Sequence, residues 1–402
     1  MSIDVYWRLP LHGCKGELAI SGYNRGDWKP AQPGNLAPGF GSDGPDGAVF
    51  ADHVADIARA AEISGFVGGL LVSFPGTDDP WTIAPALARE TKTFRFMIAF
   101  QPGFVHPAHA ARLSASLQRL SGGRLVYNII TGGGGPAQLW WGDRVAHDDR
   151  YARTSEFLDV LKGVWKSAPF SFDGRFYHVE QGGLVAPLSE QPLPEIYFSG
   201  SSDAAVAAAG RHADYYLSHL EPFDSLRQKL DRVKERAAKE GRQAKVALRF
   251  DILARRTAEE AWLEVERGFS ALPPEAFQRA FASQGDSVGF ARQAAFRPKE
   301  VRQFHDLDVD GHIAPGLWGG FNLFRGGPGI GVVGSYEQAA EWIDRYLRAG
   351  VDSFVLAGTP HLEEAYRVGE EVLPLVRGRV QDQPARGPRD AAQSSEASFA
   401  TS

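Results

Sequence analysis

Short apolar runs alternate with amphipathic segments almost from one end of the chain to the other. Eight runs rich in apolar residues predict strands, and they are Ile3–Leu9, Gly69–Ser73, Arg95–Phe100, Leu125–Ile130, Glu195–Phe198, Asp214–Leu217, Val246–Ala254 and Ser353–Leu356. Each is followed, sooner or later, by a helical pattern, and the predicted helices are Val49–Ser64, Trp81–Ala88, Pro107–Leu120, Arg150–Trp165, Asp203–His212, Asp224–Lys239, Ala258–Ala271 and Leu362–Leu375. Eight strand–helix units favour an α/β fold of the TIM (β/α)8 barrel type with insertion segments. A doubly wound open sheet has the same alternation, so periodicity alone leaves it open.

Three segments are longer than ordinary connections, and we expect them to be insertions into one domain. The first, about residues 21–47, is rich in Gly and Pro, and the second, 170–184, predicts a hairpin that turns at Asp173–Gly174. The third, 272–335, separates the seventh strand from the eighth and could fold back as a lid. We predict a single barrel domain over residues 1–378 and a disordered tail over 379–402, which is rich in Gln, Ala, Arg, Ser and Pro.

Charge and cysteine content exclude several classes of protein. The 402 residues carry a formal net charge of −6, which disfavours a general nucleic-acid binder. A single cysteine, Cys14, excludes an intramolecular disulfide framework and any multi-cysteine metal site, and it favours the cytoplasm. The N-terminus lacks the pattern of a secretory signal, and no segment approaches the roughly 18 apolar residues of a membrane span. We therefore expect a cytoplasmic protein with no nucleic-acid or membrane partner.

Polar residues follow three predicted strands at the ends where a βα barrel carries its functional groups. Ser199–Asp203 brings two hydroxyls to a helix N-terminus, which suits a phosphate and equally an ordinary N-cap. Asn128–Gly135 places an amide and a hydroxyl before four glycines, which suits either a flat ring or a flexible loop. On the seventh strand Arg249 and Asp251 share one face, either as a mutual ion pair or as an anion-binding arginine held by the aspartate.

Two further patterns are weaker. Gly329–Gly334 matches the dinucleotide pattern G-x-G-x-x-G, but no predicted strand precedes it, so we do not expect a nicotinamide site. The 11 histidines show no metal-ligand spacing, so we expect no metal. His12, His219 and His361 each follow a predicted strand, and for any one of them a satisfied polar side chain is the simpler interpretation.

Taken together, several stretches resemble the bacterial luciferase-like flavin monooxygenases, most closely the alkanesulfonate monooxygenases. The matching stretches are Leu9–Gly13, Leu120–Arg124, Asn128–Gly132, Tyr197–Asp203, Phe324–Gly327, Asp352–Gly358 and Pro360–Glu370. The resemblance runs from about Ile3 to Leu375, and the last stretch is the most specific.

The resemblance implies a two-component enzyme. A separate NAD(P)H-dependent FMN reductase would supply reduced FMN (FMNH2), and O2 would be used to cleave a carbon–sulfur bond, giving sulfite and an aldehyde. The implied FMN-binding residues are Asn128, Thr131 and Gly132 at the ring and Tyr151, Gly200, Ser201 and Ser202 at the phosphate. The implied catalytic residues, which would face the sulfonate or the flavin, are Arg249, Arg325, His12 and His361. We also expect a homo-oligomer, either a dimer or a tetramer.

Four pocket positions differ from the alkanesulfonate monooxygenases. This chain has Thr77 in place of Cys, His219 in place of Trp, Asp251 in place of His and Thr359 in place of Tyr. The predicted substrate-binding residues are Arg249, Asp251, His219, Thr359, Thr77 and Arg325. Short polar groups in place of an aromatic wall favour a polar substrate, and a sulfosugar such as sulfoquinovose is the specific prediction. The alternatives are hydroxylation or Baeyer–Villiger oxidation of a polar compound without sulfur, and a non-redox phosphate-binding lyase or isomerase.

Overall fold

Eight parallel strands close into a barrel in the computed structural model of the chain, which describes residues 3–11, 50–74, 77–132, 136–270, 312–322 and 329–381. The strands of these residues are β1 (Asp4–Leu9), β2 (Gly68–Leu71), β3 (Arg95–Phe100), β4 (Leu125–Ile129), β5 (Phe170–Asp173), β6 (His178–Gly182), β7 (Ile196–Ser199), β8 (Tyr215–His219), β9 (Lys245–Arg255), β10 (His312–Ala314), β11 (Leu317–Trp318), β12 (Gly331–Ser335) and β13 (Ser353–Ala357). The barrel order is β1–β2–β3–β4–β7–β8–β9–β13, and β13 returns to β1. The predicted TIM barrel is confirmed, with all eight strands, and an open sheet is excluded.

The helices surround this barrel. In the described residues they are α1 (Phe50–Ile63), α2 (Pro80–Glu90), α3 (Pro107–Ser121), α4 (Pro136–Trp140), α5 (His147–Lys166), α6 (Asp203–His212), α7 (Phe223–Lys239), α8 (Ala258–Ser270), α9 (Tyr336–Arg348), α10 (His361–Arg367) and α11 (Leu373–Gln381), with a π-helical turn over Val368–Val372. The predicted helices correspond to α1–α3, α5–α8 and the α10–α11 run. No helix of the described residues is long and apolar enough to cross a membrane.

The helix α9 is one that the pattern analysis missed. Its start is a capping box, because the Ser335 hydroxyl accepts a hydrogen bond from the Gln338 backbone N–H at 3.1 Å. In return, the Gln338 side-chain oxygen accepts from the Ser335 backbone N–H at 2.8 Å. The residues Ala339, Ile343 and Tyr346 of its inner face are buried at helical spacing.

The inward face of each barrel strand follows from contacts across the interior. Tyr6 of β1 and Tyr197 of β7 meet there edge to face, with 5.8 Å between ring centroids. Residues in register on parallel neighbours point to the same side of the sheet. Tyr6 is in register with Val355, and Val355 with Arg249, so Arg249 faces the barrel interior. Asp251, two residues further along the same strand, faces inward as well.

The strand β9 is longer than its neighbours and continues past the barrel mouth. Its residues Asp251–Arg255 pair in parallel with β12, which carries β11 and β10 in antiparallel order. The described part of the predicted insertion 272–335 therefore extends the sheet where the carboxyl ends of the strands meet. The glycine run Gly329–Gly334 contributes β12 itself rather than a phosphate-binding turn. Residues 271–311 and 323–328 lie outside the described residues, so the lid stays a prediction.

A second hairpin lies outside the barrel, at the residues where a turn pattern predicts one. The strands β5 and β6 pair antiparallel, and the Gly174 backbone N–H donates to the Tyr177 carbonyl at 3.0 Å. The Glu156 carboxylate of α5 accepts hydrogen bonds from the backbone N–H groups of Arg175 and Phe176, which fixes the hairpin to that helix. The segment at about 21–47 and residues 382–402 lie outside the described residues, and the domain boundaries stay predictions.

Candidate active site

The ends of β4 and β7 form a small cradle around the hydroxyl of Tyr151, which α5 contributes. A side chain at Gly200 would fill it, because a Cβ there would lie 2.9 Å from the Tyr151 hydroxyl oxygen and 2.5 Å from the Ala205 Cβ. Gly200 also has a φ of 150°, a conformation that side chains disfavour. The Tyr151 hydroxyl lies near the side chains of Ser202 and Thr131. We call the group of Thr131, Tyr151, Gly200 and Ser202 the phosphate cradle.

Burial raises the pKa of the Tyr151 phenol above its ordinary value, and the nearby Ser202 and Thr131 side chains offset part of that effect. The phenol is therefore protonated at neutral pH and can donate a hydrogen bond. An uncharged donor at this position suits an anionic group such as a phosphate.

The N-terminus of α6 opens onto this cradle. Ser202 is the N-cap, and its hydroxyl accepts a hydrogen bond from the Ala205 backbone N–H at 3.2 Å. The ordinary capping role that the sequence allowed is thus present. The first helical turn also has backbone N–H groups without partners inside the helix, and these attract anions. Asp203 in the same turn is exposed and forms an ion pair with Arg232 of α7. Ser201 lies between the two cradle residues Gly200 and Ser202 and is partly buried.

The predicted ring-binding residues adjoin the cradle. Asn128 is buried and faces the interior, since it is in register with Tyr197, and the Ser199 hydroxyl donates to its side-chain oxygen at 3.3 Å. Gly132 has a φ of 91°, and a Cβ there would collide with the side chain of Gln138. The backbone after β4 is thus held close to α4, and only glycine satisfies this packing.

A buried network that the sequence did not indicate supports this loop. The Gln138 amide donates to the Asp143 carboxylate, and Arg153 of α5 forms an ion pair with the same carboxylate at 2.6 Å. Burial acts to raise the pKa of Asp143, but the hydrogen bonds from Arg153 and from the Val145 backbone N–H lower it below its ordinary value. Asp143 is therefore ionised at neutral pH and links α4 to α5 next to Gly132.

A second group of polar residues lies on the neighbouring strands of the same mouth. His219 at the end of β8 is in register with Arg249 of β9, so both face inward. A guanidinium nitrogen of Arg249 lies 3.8 Å from an oxygen of Asp251, and both side chains are buried. Arg249 and Asp251 therefore form the mutual ion pair that was one of the two predictions for this strand. The distance between their charged atoms is longer than a hydrogen bond. We call His219, Arg249 and Asp251 the cationic cluster.

The fold and the two groups of polar residues suit several kinds of barrel enzyme. A comparison with known families identifies the family of this chain. The sequence profile of the luciferase-like monooxygenases matches residues 34–353 of the 402. The chain belongs to this family. The predicted family and the predicted class of enzyme are confirmed, and the closer resemblance to the alkanesulfonate monooxygenases stays a prediction.

Solved structures of other proteins share the fold of this luciferase-like monooxygenase. A riboflavin lyase, solved with modified FMN and riboflavin, is 20% identical with a TM-score of 0.69 over 94% of this chain and 92% of that one. The EDTA monooxygenase of Chelativorans sp. BNC1 is 21% identical, with a TM-score of 0.67 over 94% and 95%. A long-chain alkane monooxygenase is 17% identical, with a TM-score of 0.71 over 94% and 92%. At these identities the similarity shows the fold alone.

The other predicted site residues of this luciferase-like monooxygenase lie on other segments of the chain. Thr359 follows β13, the strand beside β9, and His361 begins α10, where its carbonyl accepts a hydrogen bond from the Trp7 indole at 3.0 Å. The Thr77 hydroxyl closes its own turn, because it donates to the Phe74 carbonyl at 3.0 Å. His12 and Arg325 lie outside the described residues.

Arg8 is an inward-facing charged residue that was not predicted. Arg8 of β1 is buried and lies two residues after Tyr6, on the face that points into the barrel. The period-two pattern of the first strand already put Arg8 and Tyr6 on one face, and this pattern could have indicated it.

The arrangement of His, Cys, Asp and Glu side chains in the described residues shows whether they could hold a metal ion. Across the described ranges, no group of three or more His, Cys, Asp or Glu side chains is placed to hold a metal ion. Because other segments are outside these ranges, the expectation of a metal-free site stays a prediction.

Proposed function

We propose that this luciferase-like monooxygenase binds reduced FMN, supplied by an NAD(P)H-dependent FMN reductase, and uses O2 to cleave the carbon–sulfur bond of a polar organosulfonate. The products would be sulfite and an aldehyde, and a sulfosugar such as sulfoquinovose is the specific candidate. The observation that carries the proposal is the position of the phosphate cradle and the cationic cluster on adjacent strands of one mouth, from β4 and β7 to β8 and β9.

The shape and chemistry of the phosphate cradle fit the phosphate of FMN. Gly200 lets the backbone approach Tyr151 and Ala205 closely, and the Tyr151 hydroxyl, Ser202 and the first backbone N–H groups of α6 would bind the phosphate oxygens. Asn128, Thr131 and Gly132 would then border the ring. When bound, reduced FMN supplies the electrons for the activation of O2, and the protein contributes its placement.

The cationic cluster fits a sulfonate. Arg249 would bind the sulfonate oxygens by charge-assisted hydrogen bonds, which are strong inside a barrel that excludes water. Asp251, 3.8 Å away, would orient the guanidinium group, and His219 would lie beside it. Because these groups are polar where the alkanesulfonate enzymes have bulky rings, the pocket would favour hydroxyl-rich substrates over alkyl chains.

Sulfite release in a reductase-coupled reaction tests this function. We expect sulfite from sulfoquinovose in the presence of FMN reductase, NAD(P)H and FMN, with slower release from simple alkanesulfonates. The variant Arg249→Met should lower kcat/KM about 100-fold, because a charged hydrogen-bond donor to the substrate is lost. Arg249→Lys, which keeps the charge, should retain more activity. Absence of sulfite from every sulfonate in the panel would show that desulfonation is wrong.

A second function has its own support. The exchanges at Thr77, His219, Asp251 and Thr359 remove features of the alkanesulfonate monooxygenases, so the substrate could instead be a polar compound without sulfur. The reaction would then be a hydroxylation or a Baeyer–Villiger oxidation. Turnover under 18O2 separates the two, because an oxygen atom retained in the product without sulfite release favours the second function. A cytoplasmic location and a dimeric or tetrameric state stay predictions.

A further inference from the structure

A buried ion pair holds the end of β8, next to the cationic cluster. Glu221, two residues after His219, pairs with Lys229 of α7, and the two side chains are 2% and 3% exposed. The Ser225 hydroxyl donates to the same carboxylate at 2.9 Å. The Tyr346 hydroxyl of α9 donates to the Glu221 backbone carbonyl at 3.4 Å. The segment between β8 and α7 is thus fixed to both neighbouring helices.

The Ser218 hydroxyl connects this ion pair to His219. The Lys229 ammonium group donates to Ser218 Oγ at 2.9 Å, and Ser218 Oγ donates to the His219 carbonyl at 3.0 Å. The next backbone N–H, that of Leu220, donates to the Arg249 carbonyl at 3.1 Å. A chain of hydrogen bonds therefore runs from α7 to the backbone of His219, and the following residue joins that backbone to β9.

The cost of burying this pair indicates a role beyond stability. Two charges are taken out of water, and apolar side chains of similar volume would often hold a helix on a barrel equally well. What charged hydrogen-bonding groups add is a fixed geometry for the groups around them. The compact ammonium group of Lys229 can donate in several directions, and it contacts both the Glu221 carboxylate and Ser218. A pair that only fastened α7 would not need the contact with Ser218.

We propose that Ser218 and Lys229 are positioning residues of the cationic cluster. The ion pair acts through the Ser218 hydroxyl, and it holds His219 beside its register partner Arg249 at the ends of β8 and β9. This inference rests on the proposed function, because these two side chains would face the sulfonate. It adds residues that control the geometry of the site without touching the substrate.

Amide hydrogen exchange tests the positioning without any ligand. The variant Ser218→Ala removes the hydroxyl that links the ion pair to His219, and it leaves both charges in place. We expect the Leu220 amide to exchange about five- to tenfold faster than in the wild type, because the end of β8 loses a hydrogen bond and opens more often.

Two controls separate this local effect from a general loss of stability. The Lys245 amide donates to the Asp214 carbonyl at 2.9 Å, at the opposite ends of the same two strands, and its exchange rate should stay that of the wild type. The variant Ser225→Ala removes a hydroxyl that bonds the other member of the ion pair, and it should leave the Leu220 amide unchanged. Faster exchange of both amides, the same change in Ser225→Ala, or an unchanged Leu220 amide in Ser218→Ala would overturn the inference.

Steady-state kinetics test whether the positioning matters for the substrate. The substrate is sulfoquinovose or the sulfonate of the panel that gives the most sulfite. We expect Ser218→Ala to raise KM about fivefold at nearly unchanged kcat, with the affinity for reduced FMN unchanged because the phosphate cradle lies on other strands. In a His219→Ala background the same substitution should raise KM no further.

The outcomes distinguish this inference from the proposed function. If Ser218→Ala raises KM by the same factor in both backgrounds, or leaves KM unchanged while the Leu220 amide exchanges faster, the ion pair only stabilises β8 and the inference is wrong. If the wild type releases no sulfite from any sulfonate, the proposed function fails, and the exchange rates alone decide the positioning.

Discussion

At Gly200 the presence or absence of a single side-chain atom determines how closely the backbone can approach its neighbours. The proposed phosphate site exists because this residue has no Cβ, which would lie 2.5 Å from Ala205 and 2.9 Å from the Tyr151 hydroxyl. Thr77 shows the reverse case, because its hydroxyl is already bonded within its own turn. A residue type at the expected position is therefore a weaker indication of a binding role than the space and the donors around it.

The variant Gly200→Ala tests the phosphate cradle directly. We expect its affinity for reduced FMN to fall at least about tenfold, because the added methyl group overlaps the Tyr151 hydroxyl and displaces this donor from the phosphate. The measurement is an anaerobic fluorescence titration. Gly122→Ala is the matched control, since Gly122 also has a positive φ, of 72°, but a Cβ there would meet nothing within 4 Å. Equal affinities of wild type and Gly200→Ala would place the phosphate elsewhere.

Most of the barrel could be predicted from its elements, but α4, α9 and the strands β10, β11 and β12 were not predicted. The strands of the barrel are short apolar runs bounded by polar residues, and this pattern locates each of them in the sequence. The strand β12 contains two glycines among its five residues, so neither β-propensity nor alternation indicates it. Its neighbour α9 has a capping box and an apolar face, so the sequence does indicate this helix, which lies between the predicted insertion 272–335 and the last strand.

A buried histidine between α5 and α6 makes the stability of these elements dependent on pH. The Lys162 ammonium group donates to His212 Nδ1 at 3.4 Å, and the other ring nitrogen of His212 then donates to the Ser155 hydroxyl at 2.8 Å. Burial, with Lys162 and nearby arginines, lowers the pKa of His212 from 6.5 to about 2. Between these values the unfolded chain binds a proton that the folded chain does not, so stability falls as pH falls below 6.5.

The variant His212→Gln should remove this dependence. We expect the free energy of unfolding of the wild type to fall by about 2 kcal/mol more than that of the variant between pH 7 and pH 5, as one histidine with an ordinary unfolded pKa requires. Urea denaturation at the two pH values measures the difference, and His178→Gln, in the exposed hairpin, is the matched control. If the free energy of unfolding falls equally in the wild type and in His212→Gln, the neutral imidazole of His212 does not cause the loss of stability in acid.

At the scale of the whole molecule, barrel closure brings distant parts of the sequence to one mouth. Asn128, Gly200 and Arg249 are far apart in the chain, and the parallel order of β4, β7, β8 and β9 places them side by side. The sequence therefore predicts that the site lies at the ends of the strands, because the carboxyl ends of all barrel strands meet at one face. The position of Arg8 two strands away from Arg249 depends on the strand order across β13, which no local pattern indicates.

Reduced-flavin binding at this mouth can be measured by an anaerobic titration of the purified protein with FMNH2. We expect saturable binding of one FMNH2 per chain that is tighter than binding of oxidised FMN or of riboflavin, which lacks the phosphate. We also expect that Gly200→Ala weakens the binding and that Gly122→Ala does not. Absence of FMNH2 binding at high micromolar flavin would show that this mouth is not the flavin site.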